Sequence, residues 1–501
     1  MSLLRPKARN AITLAELGSL VGASIDPATS SVEVTGVSLS TTRIESGDLY
    51  AALAGTRVHG ARFATDAVEA GALAILTDAE GASIAAGVAP ILEVANPRAV
   101  LGQIAAEIYH RPSERLRMLG VTGTQGKTTT TRLLESALDA AGVRAAVVGT
   151  VGTRINGVAL NTSLTTPEAP DLQGLLAVMC EQKVEACTME VSSHAIVLGR
   201  VDGIVFDVAA FTNLGRDHLD FHASVDEYFE AKAELFTPHR AKRGLVNVDD
   251  EHGRLLVERG RIPIDTFSTQ GVEATWQAVD ITEDSGGSDF RVLGPDGIDL
   301  RTRVNIPGVY NVSNALCAFA MGVQAGFDAE ALGRGLSSVS GVPGRLERIH
   351  GGSPAAPEVY VDYAHKPDAV TAALRALRPL ARGQLVIVIG AGGDRDSGKR
   401  PLMGAAAAQL ADRVIVTDDN PRSEDPASIR EAVADGARSV GRAQVQQIAD
   451  RREAIVEAIT TSRAGDIVVI AGKGHETGQE IASIVHPFDD GEEARAALAH
   501  V

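Results

Sequence analysis

The run Gly123-Thr124-Gln125-Gly126-Lys127-Thr128-Thr129 constrains the fold most, because it stands between an apolar strand-like stretch, Met118–Val121, and a helix-like stretch, Thr131–Ala141. Glycines at a strand-to-helix junction let backbone N–H groups curl around phosphate, and the helix N-terminus adds positive potential. Lys127 can then reach the outer phosphates and Thr128 can ligate magnesium. The helix contribution alone is roughly 0.3–2 kcal/mol, so the lysine and the metal must carry most of the charge compensation. The longer form of this pattern needs glycine where Val121 stands, so only its shorter core is present. By itself the loop says nucleotide, and nothing about what the nucleotide is for.

The surrounding sequence places the loop in a parallel sheet. Strand-like runs near Ala145–Val148, Thr188–Val191 and Val205–Phe211 alternate with amphipathic stretches, the pattern of strands joined by helical crossovers. The polar, alternating stretch Ala274–Val304 reads as an antiparallel insertion, and a helix follows Asn311. Upstream lie short apolar runs, Val34–Leu39, Leu49–Leu53 and Leu73–Leu76, then a helix over Val100–Tyr109 that Pro112 should end. Beyond a second hinge at Gly341-Val342-Pro343-Gly344, strands near Val359–Asp362, Leu385–Ile389, Arg413–Val416 and Asp466–Ala471 alternate with helices, one carrying the run Ala405–Ala408. The expectation is an α/β chain of three domains, 1–112, 113–341 and 342–501, with a central P-loop parallel-sheet ATPase domain and a C-terminal doubly wound, Rossmann-like domain.

Length and charge narrow the function. At 501 residues the chain exceeds one typical core. Its 47 Lys and Arg against 64 Asp and Glu leave a formal charge of −17, which argues against a nucleic-acid partner. Cys180, Cys187 and Cys317 are odd in number and lack CxxC spacing, which fits a reducing compartment and core packing. No stretch approaches the ~18–20 apolar residues of a membrane span, so a cytoplasmic protein without membrane insertion is expected.

Other residues invite chemistry. Glu190 ends an apolar strand, where burying a carboxylate is costly, so a cation partner is expected. Asp362 follows Val359-Tyr360-Val361 and would face a ligand from the C-terminal end of a strand. Lys232, on the helix-like stretch Val225–Phe236, would by itself be read as a solvated surface residue.

Taken in order, the phosphate loop, Glu190-Val191-Ser192-Ser193-His194, Phe211-Thr212-Asn213-Leu214-Gly215-Arg216-Asp217-His218-Leu219-Asp220, Asn311-Val312-Ser313-Asn314-Ala315, Asp362-Tyr363-Ala364-His365 and Asp419-Asn420-Pro421-Arg422 resemble the motifs of the Mur ligases across nearly the whole chain. The closest likeness is to members that extend a UDP-linked cell-wall peptide precursor with a diamino acid. This resemblance implies an ATP- and magnesium-dependent ligase of peptidoglycan synthesis, probing a UDP-N-acetylmuramoyl-dipeptide with its N-terminal domain, ATP with the central one and the amino acid with the C-terminal one.

It also implies roles. ATP would meet Gly123, Thr124, Gln125, Gly126, Lys127, Thr128 and Thr129, with Asn311, Arg345 and Asp362 at its adenine and ribose end. Thr128, Glu190 and His218 would hold magnesium, joined by Lys232 once carbamylation has turned that cation into an anion. Lys127, Glu190, His218, Lys232 and Arg345 form the implied catalytic set; Arg345 sits just past the second hinge, where domain closure would deliver its charge. The UDP precursor would meet Ser40, Thr42, Thr56, Arg57 and Val58, then Thr165, Thr166, Ser192 and Arg200. Leu198 stands where many relatives have Gln, so that contact should be absent.

For the incoming amino acid, Asp419-Asn420-Pro421-Arg422 resembles the loop of meso-diaminopimelate-adding members. A planar guanidinium can grip the extra carboxylate that lysine lacks. Arg395, Gly472 and Glu476 match further contacts, with Arg395 and Arg422 on the two carboxylates, Asn420 beside Arg422, and Glu476 on the distal ammonium. Lysine, ornithine or diaminobutyrate are the alternatives within the family. The implied chemistry is phosphorylation of the glutamyl carboxylate followed by amine attack on the acyl phosphate, in a monomeric enzyme. Two rivals are a P-loop regulatory ATPase, which would not need Arg395, Arg422 and Glu476, and a folylpolyglutamate synthetase, which would lack the N-terminal domain.

Overall fold

The computed structural model describes residues 5–160, 162, 164–215, 217–218 and 221–501. Arg216, Leu219 and Asp220 of the long central motif lie outside the described residues. Two compact units emerge: Met1–Gln277 with Gly294–Asp296 and Leu316–Gly335, and Ala278–Leu293 with Gly297–Ala315 and Leu336–Val501.

Besides a short antiparallel pair, Ile12–Thr13 with Glu33–Val34, the first unit holds a small parallel sheet and strands of a larger one. Strands β1 (Gly36–Ser38), β2 (Asp48–Ala51), β3 (Ala72–Thr77) and β4 (Ile91–Glu93) lie parallel in that order. Leu49, Ala51, Ala74 and Leu76 on one face pack against Leu101, Ile104, Ala105 and Ile108 of α1 (Pro97–Ile108). The Asn96 side chain caps that helix at Ala99 and Pro97 occupies its first turn, where the missing N–H costs nothing. The helix stops where His110 and Arg111 turn to φ 56° and 46°, immediately before Pro112, where the proline was expected to end it.

Within this unit, eight strands of the larger, 11-stranded sheet are β5 (Arg117–Thr122), β6 (Ala145–Gly149), β7 (Gly152–Ile155), β8 (Val158–Leu160), β9 (Ala186–Glu190), β10 (Val208–Phe211), β11 (Gly244–Asn247) and β12 (Ile264–Ser268). Their order is β8-β7-β6-β9-β5-β10-β11-β12. From β6 to β12 neighbouring strands are parallel; β7 and β8 form an antiparallel edge hairpin. Helices α2 (Lys127–Ala140), α3 (Ala169–Glu181) and α4 (Val225–Ala233) make crossovers. All five residues of β9 are buried, as expected of a central parallel strand covered on both faces, Thr188 and Glu190 included. Strand β10 begins later than the expected Val205, because Val205 is 40% exposed and regular pairing starts at Val208. Since the chain leaves β5 toward β6, returns to β9 and then crosses to β10, the crevice beyond β5 is a topological switch point.

In the second unit, β13 (Gly287–Leu293) and β14 (Asp299–Val304) form the antiparallel hairpin expected of the insertion, with Ser288 opposite Val304. Helix α5 (Val309–Gln324) follows and runs on into the residues of the first unit. Strands β15 (Glu347–Ile349), β16 (Glu358–Asp362), β17 (Leu385–Ile389), β18 (Arg413–Val416), β19 (Gln444–Gln447) and β20 (Ile467–Ala471) lie in the order β15-β16-β20-β17-β18-β19, parallel except β15. Val386, Val388, Val468 and Ile470 face Ile455 and Ile459 of α9 (Arg451–Thr460) and Ala494 and Leu498 of α10 (Asp490–Leu498). The alternate strand residues face α6 (Pro367–Leu377), α7 (Lys399–Leu410) and α8 (Pro426–Val440), so helices cover both faces. Ala406–Ala408 are buried, as the alanine run led one to expect. A hairpin of β21 (Gly478–Ile481) and β22 (Ile484–Pro487) precedes α10. Among the described residues no helix is long and apolar enough to cross a membrane.

Candidate active site

The phosphate loop leaves β5 at Thr122 and enters α2 at Lys127. Gly123 has φ +147°, and a Cβ there would stand 1.9 Å from Thr212 Oγ1, so no other residue fits. Gly126 takes the left-handed conformation, φ +86°, that opens the helix. The segment after β10 braces the loop: Thr212 Oγ1 donates to Gln125 O at 2.6 Å, Gln125 N–H donates to Asn213 Oδ1 at 2.9 Å, and Gly215 N–H donates to Thr124 Oγ1 at 2.9 Å. Two ammonium groups converge on one carbonyl, Lys127 Nζ at 2.7 Å and Lys232 Nζ at 2.9 Å from Gly123 O. Lys232 is buried, its ammonium 4.3 Å above the Tyr228 ring. It is therefore no solvated surface lysine. Burial also pushes the Tyr228 phenol well up, and its oxygen lies 3.2 Å from Thr124 Oγ1. Thr128 and Thr129 are buried at the start of α2.

Glu190 closes β9 in register with Val121 of β5. Its Oε1 accepts from Thr150 N–H at 2.8 Å and its Oε2 from Thr150 Oγ1 at 3.1 Å. Gly149 lets the carboxylate in, since a Cβ there would be 2.3 Å from Oε1. His218, at φ +52°, lies 3.2 Å from Asp217, with its ring centroid 4.8 Å from His194 and 6.0 Å from Tyr228. Among the described residues no group of three or more His, Cys, Asp or Glu side chains is arranged to hold a metal ion. Two of the expected donors, the strand-end Glu190 carboxylate and the phosphate-loop Thr128 hydroxyl, are oxygens of the kind a hard cation takes, and the His218 imidazole adds a nitrogen.

The residues expected to meet the precursor fall into two groups. Thr166 Oγ1, fully buried, donates to Glu190 O at 2.8 Å; Arg200 Nη1 donates to Thr166 O at 3.3 Å and its Nε to Glu168 at 2.8 Å; and Thr165 Oγ1 is 3.0 Å from Thr150 Oγ1. Ser192 caps the short helix Ser193–Val197. This group adjoins Glu190. Ser40 and Thr42, their hydroxyls 2.9 Å apart, lie instead beyond β1, and the exposed turn of Thr56, Arg57 and Val58 lies beyond β2. Both stand at the C-terminal edge of the small parallel sheet.

In the second unit, Asp362 at the end of β16 accepts from Leu346 N–H at 2.7 Å and Ala364 N–H at 2.8 Å. Burial pushes its carboxyl up against the pull of Arg345. The Arg345 guanidinium lies 4.7 Å over the Tyr363 ring. Asn311 is buried and donates to Pro307 O at 2.8 Å.

The Asp419–Arg422 loop is held by several side-chain hydrogen bonds. Asn420 Nδ2 donates to Glu476 at 3.0 Å, while its Oδ1 accepts from Lys473 Nζ and Glu480 N–H, each at 2.9 Å. Lys473 is fully buried and also lies 3.6 Å from Asp419. Arg422, at φ +53°, donates from Nε to Glu480 at 3.1 Å and from Nη1 to Gly393 O at 2.6 Å. Main-chain bonds hold the same loop to β21: Arg422 N–H to Glu480 O at 3.0 Å and Ala482 N–H to Arg422 O at 2.8 Å. Gly472, φ +120°, leaves room for Asp419, whose Oδ2 would sit 2.4 Å from a Cβ there. Behind Gly472, Arg451 and Asp490 form a fully buried ion pair at 2.7 Å, and Arg451 Nη2 donates to Ala471 O at 3.0 Å. Asn420, Arg422 and Glu476 are thus assembled; Arg395 is exposed on its own loop. Thr150, Lys473, Glu480 and Arg451 escaped the reading of the sequence. Only Lys473 had a signal, its place within Gly472-Lys473-Gly474-His475-Glu476.

Family models match three successive stretches: Mur ligase family, catalytic domain, over 33–109; Mur ligase middle domain over 121–322; and Mur ligase, glutamate ligase domain, over 344–474. A UDP-N-acetylmuramoyl-L-alanyl-D-glutamate–2,6-diaminopimelate ligase of Streptomyces avermitilis is 49% identical over 97% of this chain and 96% of its own. The chain belongs to the Mur ligase family. A Streptomyces coelicolor ligase of the same name is 47% identical over 99% of this chain and 98% of its own. Among solved structures, a ligase of that name superposes with a TM-score of 0.70 at 35% identity, covering 98% of this Mur ligase and 99% of the other chain. The α/β architecture expected from the strand–helix alternation is therefore the family's.

Proposed function

We propose that this Mur ligase uses ATP and magnesium to join meso-diaminopimelate to UDP-N-acetylmuramoyl-L-alanyl-D-glutamate, forming a C–N bond in peptidoglycan synthesis. The observation that carries the reading is the end-to-end likeness to Streptomyces ligases named for that addition. The site geometry supports it with a phosphate loop beside a buried carboxylate and a second cluster in which Asn420, Glu476 and Arg422 are preorganised. The domain division at 112 and 341 belongs to the same proposal, supported by three family models matching either side of those points. So do a cytoplasmic location and a monomeric state.

In this mechanism the precursor's glutamyl carboxylate attacks the γ-phosphorus of ATP, giving an acyl phosphate and ADP. The loop N–H groups and Lys127 hold the phosphates, Lys127 exchanging its bond to Gly123 O for one to phosphate. Magnesium bound by Thr128, Glu190, His218 and carbamylated Lys232 would supply charge neutralisation for the transferring group. Carbamylation leaves one N–H on Lys232 Nζ, enough to keep the bond to Gly123 O, while adding carboxylate oxygens. Thr165, Thr166, Ser192 and Arg200, with Ser40, Thr42, Thr56, Arg57 and Val58, bind the precursor. Asn311, Arg345 and Asp362 meet the adenine and ribose end of ATP. Arg422 and Arg395 hold the amino acid's carboxylates, Glu476 holds its far ammonium, and Asp419, Pro421 and Gly472 shape the pocket. The free amine then attacks the activated carbonyl carbon, the C–N bond forms, and phosphate leaves.

The test supplies ATP, magnesium and the UDP-linked dipeptide with meso-diaminopimelate or lysine, and weighs the product. A meso-diaminopimelate adduct is expected, with ¹⁸O from the glutamyl carboxylate appearing in the released phosphate. Phosphate release without a heavier precursor overturns the ligase reading, and a faster lysine adduct overturns the specificity.

A further inference from the structure

The Thr150 side chain touches both the Glu190 carboxylate and Thr165, a residue of the expected precursor group. It follows Gly149 at the end of β6, and its main chain and side chain each take one oxygen of the Glu190 carboxylate, at 2.8 and 3.1 Å. The same hydroxyl lies 3.0 Å from Thr165 Oγ1. A hydroxyl has one hydrogen to give and two lone pairs. A carboxylate can only accept, so the Thr150 hydrogen goes to Glu190, and the bond between the threonines must be donated by Thr165. Thr165 in turn has spent its hydrogen inward and presents only lone pairs outward. The chain Thr165 to Thr150 to Glu190 is therefore polarised in one direction, and each bond strengthens the next.

We propose that Thr150 is a positioning residue that fixes the polarity of Thr165, making it an acceptor for an N–H or O–H group of the precursor, and locks the rotamer of Glu190 at the same time. The proposal rests on the functional reading above, and goes beyond it by naming the donor–acceptor sense of that contact. A precursor amide or hydroxyl that donates to Thr165 would extend the chain by one link, so precursor occupancy and the set of Glu190 are coupled through a single hydroxyl.

Calorimetric titration of the UDP-linked dipeptide into the full chain, without nucleotide or magnesium, tests this apart from turnover. Thr150→Val keeps the shape and the main-chain bond but removes the hydroxyl; Thr150→Ser restores it. Losing one polarised link is expected to weaken precursor binding about 5- to 10-fold in Thr150→Val, with Thr150→Ser within about twofold of the unaltered chain and all variants melting cooperatively. Thr165→Val should weaken binding by a similar factor, and the Thr150→Val/Thr165→Val double variant no further than either alone. Multiplicative losses in the double variant, or a Thr150→Val chain that binds normally, overturn the relay and leave the functional reading standing. An unaltered chain that takes up no precursor overturns the functional reading, and the relay with it.

Discussion

Arg422 has little conformational freedom, which is what the proposed grip on a carboxylate requires. Its Nε and Nη1 are taken by Glu480 and Gly393 O, so the guanidinium is already oriented before any ligand arrives. A charge-assisted contact is worth roughly 1.5–3 kcal/mol. Arg422→Lys should therefore lower kcat/KM for meso-diaminopimelate about 10- to 150-fold, with little change in KM for ATP, as steady-state assays would read. His365 offers a different measurement. Burial, with Lys366 and Lys399 nearby, pulls its imidazole down to about 4, while Nδ1 donates to Tyr363 O at 2.8 Å. Below the unfolded value near 6.5, the unfolded chain binds a proton that the folded one refuses. Stability should thus fall as pH drops from about 6.5 toward 4 and level off below that. In His365→Asn this part of the pH dependence should vanish, which melting curves of the two proteins compared at each pH will show; comparing them cancels the opposite trend of Asp362. The motif residues of these sites were readable in the sequence because each motif keeps its chemistry within a few positions. Glu480 was not, because it lies 58 positions from Arg422 and meets it only through the fold. Thr150, 40 positions from Glu190, was hidden for the same reason.

At the scale of elements, the strand–helix alternation was legible because buried parallel strands leave continuous apolar runs, as in β17 and β20. What alternation could not give was how closely elements approach. Helices α7 and α8 touch main chain to main chain: a Cβ on Gly404 would stand 1.9 Å from Val433 O, and one on Gly436 1.9 Å from Pro401 O. The run Ala405–Ala408 read as a helix packed on the sheet; its close approach to α8 was not legible there. Gly404→Ala should force these helices apart and destabilise the fold by about 1–3 kcal/mol, measurable as a lower denaturant midpoint with an unchanged slope. A change of slope, or none in the midpoint, would contradict this packing.

For the whole molecule, the turns at Pro112 and Gly341–Gly344 separate the three stretches that the family models match, and the described contacts gather into two compact units. Hinge residues mark where a chain can turn; which segments share a core is set by packing that the sequence does not display. Each unit has its own apolar interior, so calorimetry should resolve more than one unfolding transition. A nonhydrolysable ATP analogue with magnesium at about 100 times its Kd adds roughly 2.7 kcal/mol to whatever binds it. That should raise the transition of the phosphate-loop unit by about 5–10 °C, and Lys127→Ala should abolish the rise. A single transition insensitive to nucleotide would contradict the division.

The Asp419–Arg422 loop is held to β21 by two main-chain bonds, Arg422 N–H to Glu480 O and Ala482 N–H to Arg422 O, and by a third in which Glu480 N–H donates to Asn420 Oδ1. The first two survive any change of side chain that tolerates φ +53° at position 422, while the third is made by the side chain at 420. In the proposed reading, position 422 can therefore be exchanged with the platform left standing, whereas a change at 420 also loosens what displays it.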